Sequence, residues 1–190
     1  MHNNTANLNI MIKAARKASR SLIRDFNEIE KLQVVSKKAG DFVSKADLRA
    51  EKIIKEELIS ARPSYGWCAE ESDEIQGEDP TRRWLVDPLD GTKGFLNKTN
   101  NFTVNIAFIN NREPELGVIY SPISGELFYT SPDRETFKYN YLKKTQKVKI
   151  SGKVENREAL TLITSENNLV GRESKILKVD CEHDTLKIGS

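Results

Sequence analysis

Residues 84–92 constrain this chain most, because they place two carboxylates around one sharp turn. Three apolar residues, 84–86, predict a buried strand that carries Asp87 at its end. Pro88 is expected to stop that strand, and the step from Asp90 to the following glycine is expected to turn the backbone. Both carboxylates and the intervening carbonyl oxygens would then surround one small volume. An oxygen-only set of this kind suits hard cations such as Mg²⁺ or Mn²⁺.

A second acidic feature lies upstream of the turn. Glu70 and Glu71 follow another apolar stretch, residues 65–69. Together the two features indicate a site for a hard divalent cation, which in turn suggests phosphate chemistry. Asp-Pro and Asp-Gly are also common in ordinary turns, so an unspecialised loop is the alternative that the residues alone leave open.

Composition excludes several classes of function. The 190 residues include 30 basic and 28 acidic side chains, so a net charge of +2 creates no field that would bind a nucleic-acid polymer. Cys68 and Cys181 form no metal-ligand or disulfide pattern, which is typical of a reducing cytoplasm. No apolar run is long enough to span a membrane, and the N-terminus lacks a signal-peptide core. A cytoplasmic protein that has neither nucleic acid nor a membrane as its partner is therefore expected.

Two amphipathic helices are predicted in the first third of the chain. Apolar side chains recur at helical spacing over residues 7–27. Residues 33–37 alternate as a short strand would, and residues 40–41 are expected to break the chain. Ser44 then resembles the N-cap of the second helix, with Asp47 three residues later. Taken alone, Asp47 would be a helix-cap acid.

The rest of the chain is predicted to be rich in strands. Residues 73–83 are polar and loop-like. Four strands, of which the first three form an antiparallel meander and the fourth adds an edge, are predicted at residues 102–109, 116–120, 126–130 and 147–150.

A new unit is predicted after the meander. It would consist of a strand at residues 160–164, a helix near 167–178 and a strand near 184–188. The order of elements predicts an α+β layered fold. We expect a first α+β domain at residues 1–152 and the beginning of an α/β domain, incomplete, at residues 153–190.

Three stretches of the sequence resemble motifs of the inositol monophosphatase superfamily. In chain order they are Asp-Phe-Val-Ser-Lys-Ala-Asp at 41–47, Ala-Glu-Glu-Ser at 69–72, and Trp-Leu-Val-Asp-Pro-Leu-Asp-Gly-Thr at 84–92. The resemblance covers essentially the whole chain. It implies a layered αβαβα sandwich and a Mg²⁺-dependent, lithium-sensitive phosphomonoesterase. Such an enzyme would use two or three metal ions, and Mn²⁺ would be a substitute.

The resemblance also implies the metal ligands. These would be the side chains of Glu70, Asp87 and Asp90, together with the main-chain carbonyl of Leu89. All of them offer oxygen, as Mg²⁺ requires.

Catalytic and substrate-binding roles follow in the same way. Thr92 would hydrogen-bond the attacking water, and Asp47 would orient Thr92. Asp90, Gly91 and Thr92 would contact the substrate, the last two through backbone N–H groups that face its phosphate.

The two halves of the chain favour different substrates. The first half is most similar to bacterial inositol-1-monophosphatases. The turn, however, continues as Lys-Gly-Phe-Leu at residues 93–96, which is similar to 3′(2′),5′-bisphosphate nucleotidases, as is the closing stretch at 186–190. The predicted reaction is hydrolysis of 3′(2′),5′-bisphosphate nucleotides by metal-activated water, with inositol 1-phosphate as the alternative substrate.

One motif of the family is missing from these residues. Family members are longer and carry a later Trp-Asp-x-Ala-Ala-Gly motif, whose aspartate binds a second metal. The expectation is therefore a C-terminally truncated chain, and an inactive metal-binding remnant or a regulatory interaction protein is the alternative of another class. The expected partner is a small phosphorylated substrate, and similar enzymes suggest a homodimer.

Overall fold

A computed structural model describes the backbone of residues 5–31, 36–145, 147–150, 160–165 and 183–188, and the side chains of 5–28, 45–145 and 147–150. Internal contacts divide the chain into two compact units, Met1–Ile150 and Ser151–Ser190. The first unit contains helices and a mixed sheet, which confirms the predicted α+β class. Within the described ranges, no helix has the length and apolar character needed to cross a membrane.

Two long helices pack against one face of the sheet. Helix α1 spans Ala6–Lys31 and helix α2 spans Ser36–Ala61. The predicted apolar stripe of α1 is confirmed, since its members are all buried: Leu8, Met11, Ala14, Ala15, Ala18, Leu22 and Phe26. An ion pair between Arg49 Nη2 and Asp25 Oδ2, 2.7 Å apart, joins α2 to α1.

Helix α2 begins earlier than predicted. It continues through residues 40–41, where a break was expected, so Ser44 is not an N-cap. The predicted strand at 33–37 is wrong at its last two residues, which are helical, and residues 32–35 lie outside the described part. A glycine inside a helix costs only about 1 kcal/mol relative to alanine, which tertiary packing of a long helix outweighs. Asp47 therefore lies inside the helix, and the helix-cap interpretation is excluded.

Seven strands form one sheet in chain order. The first two pair in parallel, and all other neighbours are antiparallel. The predicted meander and edge strand are confirmed, whereas the sixth strand was not predicted. The strands are β1 Tyr65–Ala69, β2 Asp79–Asp90, β3 Thr103–Asn110, β4 Glu113–Tyr120, β5 Glu126–Thr130, β6 Thr136–Asn140 and β7 Val148–Ile150.

Strand β2 differs from its prediction in three ways. Residues 79–83, expected to be loop, belong to it. It is not buried throughout, because Trp84 is 0% exposed and Leu85, on the opposite face, is 46% exposed. Pro88 does not stop it, because the register with β3 shifts between Asp87 and Asp90. The extra residue of this bulge leaves the proline outside the regular hydrogen-bond ladder.

A one-turn helix follows the strand. Helix α3 spans Thr92–Leu96 and carries Gly94 and Phe95 into the core. Phe95 is fully buried, and its ring lies 5.5 Å from that of Phe26 and 5.0 Å from that of Phe102, measured between centroids. These aromatic contacts fix the position of the turn that precedes α3.

The second unit contains a parallel strand pair. Strand β8, Leu160–Ser165, lies beside β9, His183–Ile188, with Leu160 opposite His183. Both strands were predicted. The helix predicted near 167–178 lies outside the described residues.

Close packing at α3 predicts a large effect of one methyl group. A Cβ atom on Gly94 would lie 2.3 Å from the backbone oxygen of Asn101. We expect Gly94→Ala to lower the free energy of unfolding by about 1–3 kcal/mol in urea titrations. The matched control is Gly117→Ala, whose Cβ would meet its nearest neighbour at 3.7 Å and which we expect to stay within about 0.5 kcal/mol. Equal effects of the two substitutions would contradict this packing.

Candidate metal centre

Helix α2 brings two carboxylates to its inner face. Asp47 and Glu51 are four residues apart and so lie on one side of the helix. They are 5% and 4% exposed, respectively. The alanines that precede them, Ala46 and Ala50, are fully buried and occupy little space, which allows the helix to approach the sheet closely.

Asp47 has an unsatisfied oxygen. Its Oδ1 atom is buried and has no hydrogen-bond partner among the described residues. Burying a carboxylate oxygen without a donor or a cation is costly. This oxygen can therefore accept a further hydrogen bond or respond to a nearby positive charge.

The parallel pair β1–β2 supplies the remaining acids. Ala69 at the end of β1 lies beside Val86 of β2, so Glu70, which follows β1, and Asp87, which continues β2, are neighbours at the edge where the β1–β2 pairing ends. Because parallel strands have their carboxyl ends together, this edge gathers side chains that are distant in sequence. The two carboxyl groups are close enough for Glu70 to contribute to the raised pKa of Asp87.

The bulge of β2 orients Asp87 and Asp90 differently. Asp87 Oδ1 accepts a hydrogen bond from the Leu89 N–H at 3.1 Å. Asp90 is exposed, and its Oδ2 accepts from Asn105 Nδ2 at 3.0 Å. The hydroxyl of Thr103 in turn donates to Asn105 Oδ1 at 3.0 Å. Both predicted ligands of this strand are thus held in place by neutral donors.

The acids repel one another strongly. The pKa of Asp47 is raised from 3.8 to about 8, first by burial and then by the charges of Glu71 and Asp87. Burial likewise raises the pKa of Asp87 to about 6, assisted by the charges of Asp90 and Glu70 and opposed by the Leu89 N–H. A cation among these groups would relieve the repulsion and favour their ionised forms.

The acids are neighbours and do not form a preassembled ligand sphere. Within the described residues, no three His, Cys, Asp or Glu side chains are arranged to hold a metal ion. The chemistry of the donors nevertheless fits Mg²⁺, because every predicted ligand offers oxygen.

The hydrogen bond expected between Asp47 and Thr92 is not formed. The Thr92 hydroxyl instead donates to the Leu89 carbonyl at 3.3 Å. The carbonyl that was predicted to bind metal is therefore engaged by the residue that was predicted to orient water. A carbonyl oxygen has two lone pairs, so this bond does not preclude a second partner.

Gly91 is required by the shape of the turn. Its φ of 87° is in the left-handed region, and an added Cβ would lie 2.4 Å from the Asn101 carbonyl oxygen. Helix α3, which it precedes, has only five residues. A helix of one turn has only a small dipole with which to attract phosphate. The contact of Gly91 and Thr92 with phosphate stays a prediction, and it would depend on their backbone N–H groups.

Residues 93–96, from which a nucleotide substrate was predicted, lie partly in the core. Of residues 93–96, Gly94 and Phe95 are buried, whereas Lys93 is exposed. The Gly-Phe pair is explained by its packing against Asn101 and the neighbouring aromatic rings. This part of the sequence therefore reports on packing rather than on the substrate.

Sequence reasoning missed two residues of the site, Glu51 and Asn105. The signal for Glu51 was its position four residues after Asp47 on a predicted helix. Asn105 had no such signal, because its contact with Asp90 depends on the register between β2 and β3.

The raised pKa of Asp47 predicts a pH-dependent stability. Between its ordinary value of 3.8 and about 8, the folded protein keeps a proton at Asp47 that the unfolded chain has lost. Stability from this group is thus present at low pH and is lost as the pH rises through 8. In EDTA, we expect the melting temperature of Asp47→Asn to exceed that of wild type at pH 8. Near pH 4 the two melting temperatures should be equal. Each kcal/mol of unfolding free energy that the substitution adds should raise the melting temperature by about 2–4 °C.

The control for this experiment is Asp79→Asn, at the opposite end of β2. Hydrogen bonds from Thr81 lower the pKa of Asp79, so its removal should not raise the melting temperature at pH 8. A higher melting temperature in both variants would show that general charge, and not the burial of Asp47, is responsible.

Comparisons with known proteins show which family the chain resembles. A model of the inositol monophosphatase family matches residues 3–190. An inositol-1-monophosphatase of Mesorhizobium japonicum is 51% identical over 126 residues, which are 66% of this chain and 47% of that protein. A Nus factor SuhB of Xylella fastidiosa is 43% identical over 124 residues, 65% of this chain and 44% of that protein.

A solved structure shows the same fold. The extragenic suppressor protein suhB from Bartonella henselae superposes with a TM-score of 0.78 at 37% identity, covering 98% of this chain and 71% of that one. The present chain spans about half the length of the curated relatives that it matches. The predicted fold type and the family resemblance are both confirmed, and the chain belongs to the inositol monophosphatase family.

Proposed function

We propose that this chain carries the metal-binding part of a Mg²⁺-dependent phosphomonoesterase that acts on inositol 1-phosphate. The observation that carries the proposal is the buried, unpartnered carboxylate oxygen of Asp47, which lies among acids that raise one another's pKa. A group of this kind is stabilised by divalent cations and destabilised without them.

Residues at the edge of the sheet would hold the metal. They are the side chains of Glu70, Asp87 and Asp90 and the carbonyl of Leu89. When bound, Mg²⁺ would neutralise phosphoryl oxygens and lower the pKa of a water molecule. The hydrogen bonds from Asn105 and from the Leu89 N–H keep two of these carboxylates in fixed orientations for that purpose.

Asp47 and Thr92 would direct the attacking water. The Thr92 hydroxyl now donates to the Leu89 carbonyl in a long hydrogen bond of 3.3 Å, so a change of partner would cost little. Donation to Asp47 instead would satisfy the unpartnered Oδ1 atom and leave the hydroxyl oxygen free to accept from water. Substrate phosphate would meet the N–H groups of Gly91 and Thr92.

Inositol 1-phosphate is a better proposal than a bisphosphate nucleotide. Relatives named inositol-1-monophosphatase are 51% and 47% identical over about two thirds of this chain. The Gly-Phe pair that favoured nucleotides is accounted for by core packing. The alternative substrate of the sequence prediction is therefore supported more strongly than its first choice.

A second candidate is a regulatory interaction protein. Relatives between 35% and 43% identical bear the name Nus factor SuhB, which states no reaction. Such a protein would share the fold and the acidic site with a phosphatase and would not need turnover.

Phosphate release decides between these candidates. With Mg²⁺, we expect kcat/KM for inositol 1-phosphate to exceed that for 3′-phosphoadenosine 5′-phosphate by at least about tenfold, a difference of 1.4 kcal/mol. EDTA should abolish release, and Li⁺ should reduce it. A preference for the nucleotide would reinstate the first prediction, and Mg²⁺ binding without turnover of either compound would favour the regulatory candidate.

Metal binding can be tested without turnover. Asp87→Asn should weaken Mn²⁺ binding in calorimetry by at least about tenfold, because it removes one charged ligand. The matched control is Asp79→Asn, since Asp79 lies on the same strand away from the acids and should bind Mn²⁺ as wild type does. Equal affinities of the three proteins would place the metal elsewhere.

A further inference from the structure

Glu51 makes a contact that links helix α2 to the metal-binding edge of the sheet. Its Oε2 atom accepts a hydrogen bond from the backbone N–H of Glu71 at 3.2 Å. The side chain is 4% exposed, whereas Glu71 is exposed, so the contact is made on the buried side of the segment.

Burial of this carboxylate is unfavourable in its own right. It lies one turn from Asp47, whose pKa its charge helps to raise. An apolar side chain of similar size would avoid both desolvation and repulsion. Packing therefore does not explain an acid at this position. The favourable interaction of the Glu51 side chain is its hydrogen bond with the Glu71 N–H.

That hydrogen bond acts on the neighbouring residue, Glu70. The N–H of Glu71 belongs to the planar peptide group that also contains the Glu70 carbonyl. Because β1 holds the chain up to Ala69, restraining this plane restricts the backbone angle ψ of Glu70 and so the directions in which the Glu70 side chain can leave the chain. Glu70 follows directly after β1, with no further sheet pairing to hold it.

We infer that Glu51 is a positioning residue, which fixes the backbone at Glu71 so that the Glu70 carboxylate points towards Asp87. It acts through its capacity to accept a hydrogen bond and not as a metal ligand. This inference rests on the proposed function, because it assigns Glu70 to the metal.

Two variants of similar volume separate the acceptor from the charge and from packing. Glu51→Gln keeps an oxygen acceptor and loses the charge, whereas Glu51→Leu loses both and fills the same space. Glu56→Leu, at an exposed position of the same helix, is the control. Melting temperatures would show that each variant folds.

The first measurement is amide hydrogen exchange in metal-free protein. Loss of one hydrogen bond, about 0.5–1.5 kcal/mol, should accelerate exchange of the Glu71 amide up to about tenfold in Glu51→Leu. Glu51→Gln and Glu56→Leu should exchange at this amide within about threefold of wild type.

The second measurement is calorimetric titration with Mn²⁺ alone. We expect Glu51→Leu to bind about tenfold more weakly and Glu51→Gln to bind as wild type does. Equal weakening in both variants would overturn the inference in favour of a role for the charge. Wild-type affinity in Glu51→Leu would also overturn it. If Glu51→Leu does not fold, a tenfold loss of Mn²⁺ affinity in Glu51→Gln would still overturn the inference.

The two proposals fail in distinguishable ways. A wild-type protein that binds no Mn²⁺ overturns the proposed function and this inference together. Normal binding by wild type and by Glu51→Leu overturns the inference alone.

Discussion

Repulsion among buried carboxylates is the constraint on which this site depends. Asp47 is held almost wholly out of water, and its pKa rises to about 8 because burial and the charges of its neighbours both oppose ionisation. Hydrophobic packing around α2 must compensate for this cost, and the ion pair between Arg49 and Asp25 adds to the attachment of that helix. The fold thus stabilises an arrangement of acids that is unfavourable in the absence of a cation.

Each element contributes to the site through one local feature. The parallel pairing of β1 with β2 brings Glu70 and Asp87 to one edge. The bulge between Asp87 and Asp90 lets two aspartates of one strand take different hydrogen-bond partners. Close packing of α2, permitted by its buried alanines, places a third acid opposite them. These features are distant in sequence and meet only in the folded chain.

Local patterns predicted most of the fold and part of the site. The apolar stripe of α1 and the strands of the meander follow from periodicity alone. The start of α2 did not, because one glycine suggested a break that tertiary packing overrides. Glu70, Asp87 and Asp90 were found because acidic residues follow apolar stretches there and because these residues match the motifs of the family. Asn105 was not, since register between strands is set by the whole sheet.

The turn at residues 87–92 contains two kinds of information that sequence reasoning did not separate. Its acidic residues belong to the motif by which the family was recognised. The residues directly after it pack against Asn101 and the rings of Phe26 and Phe102, so their identity is set by the space in the core. A likeness confined to such packing residues carries no information about the substrate. Membership of the family could therefore be recognised from this segment, whereas substrate preference has to be argued from the relatives and decided by assay.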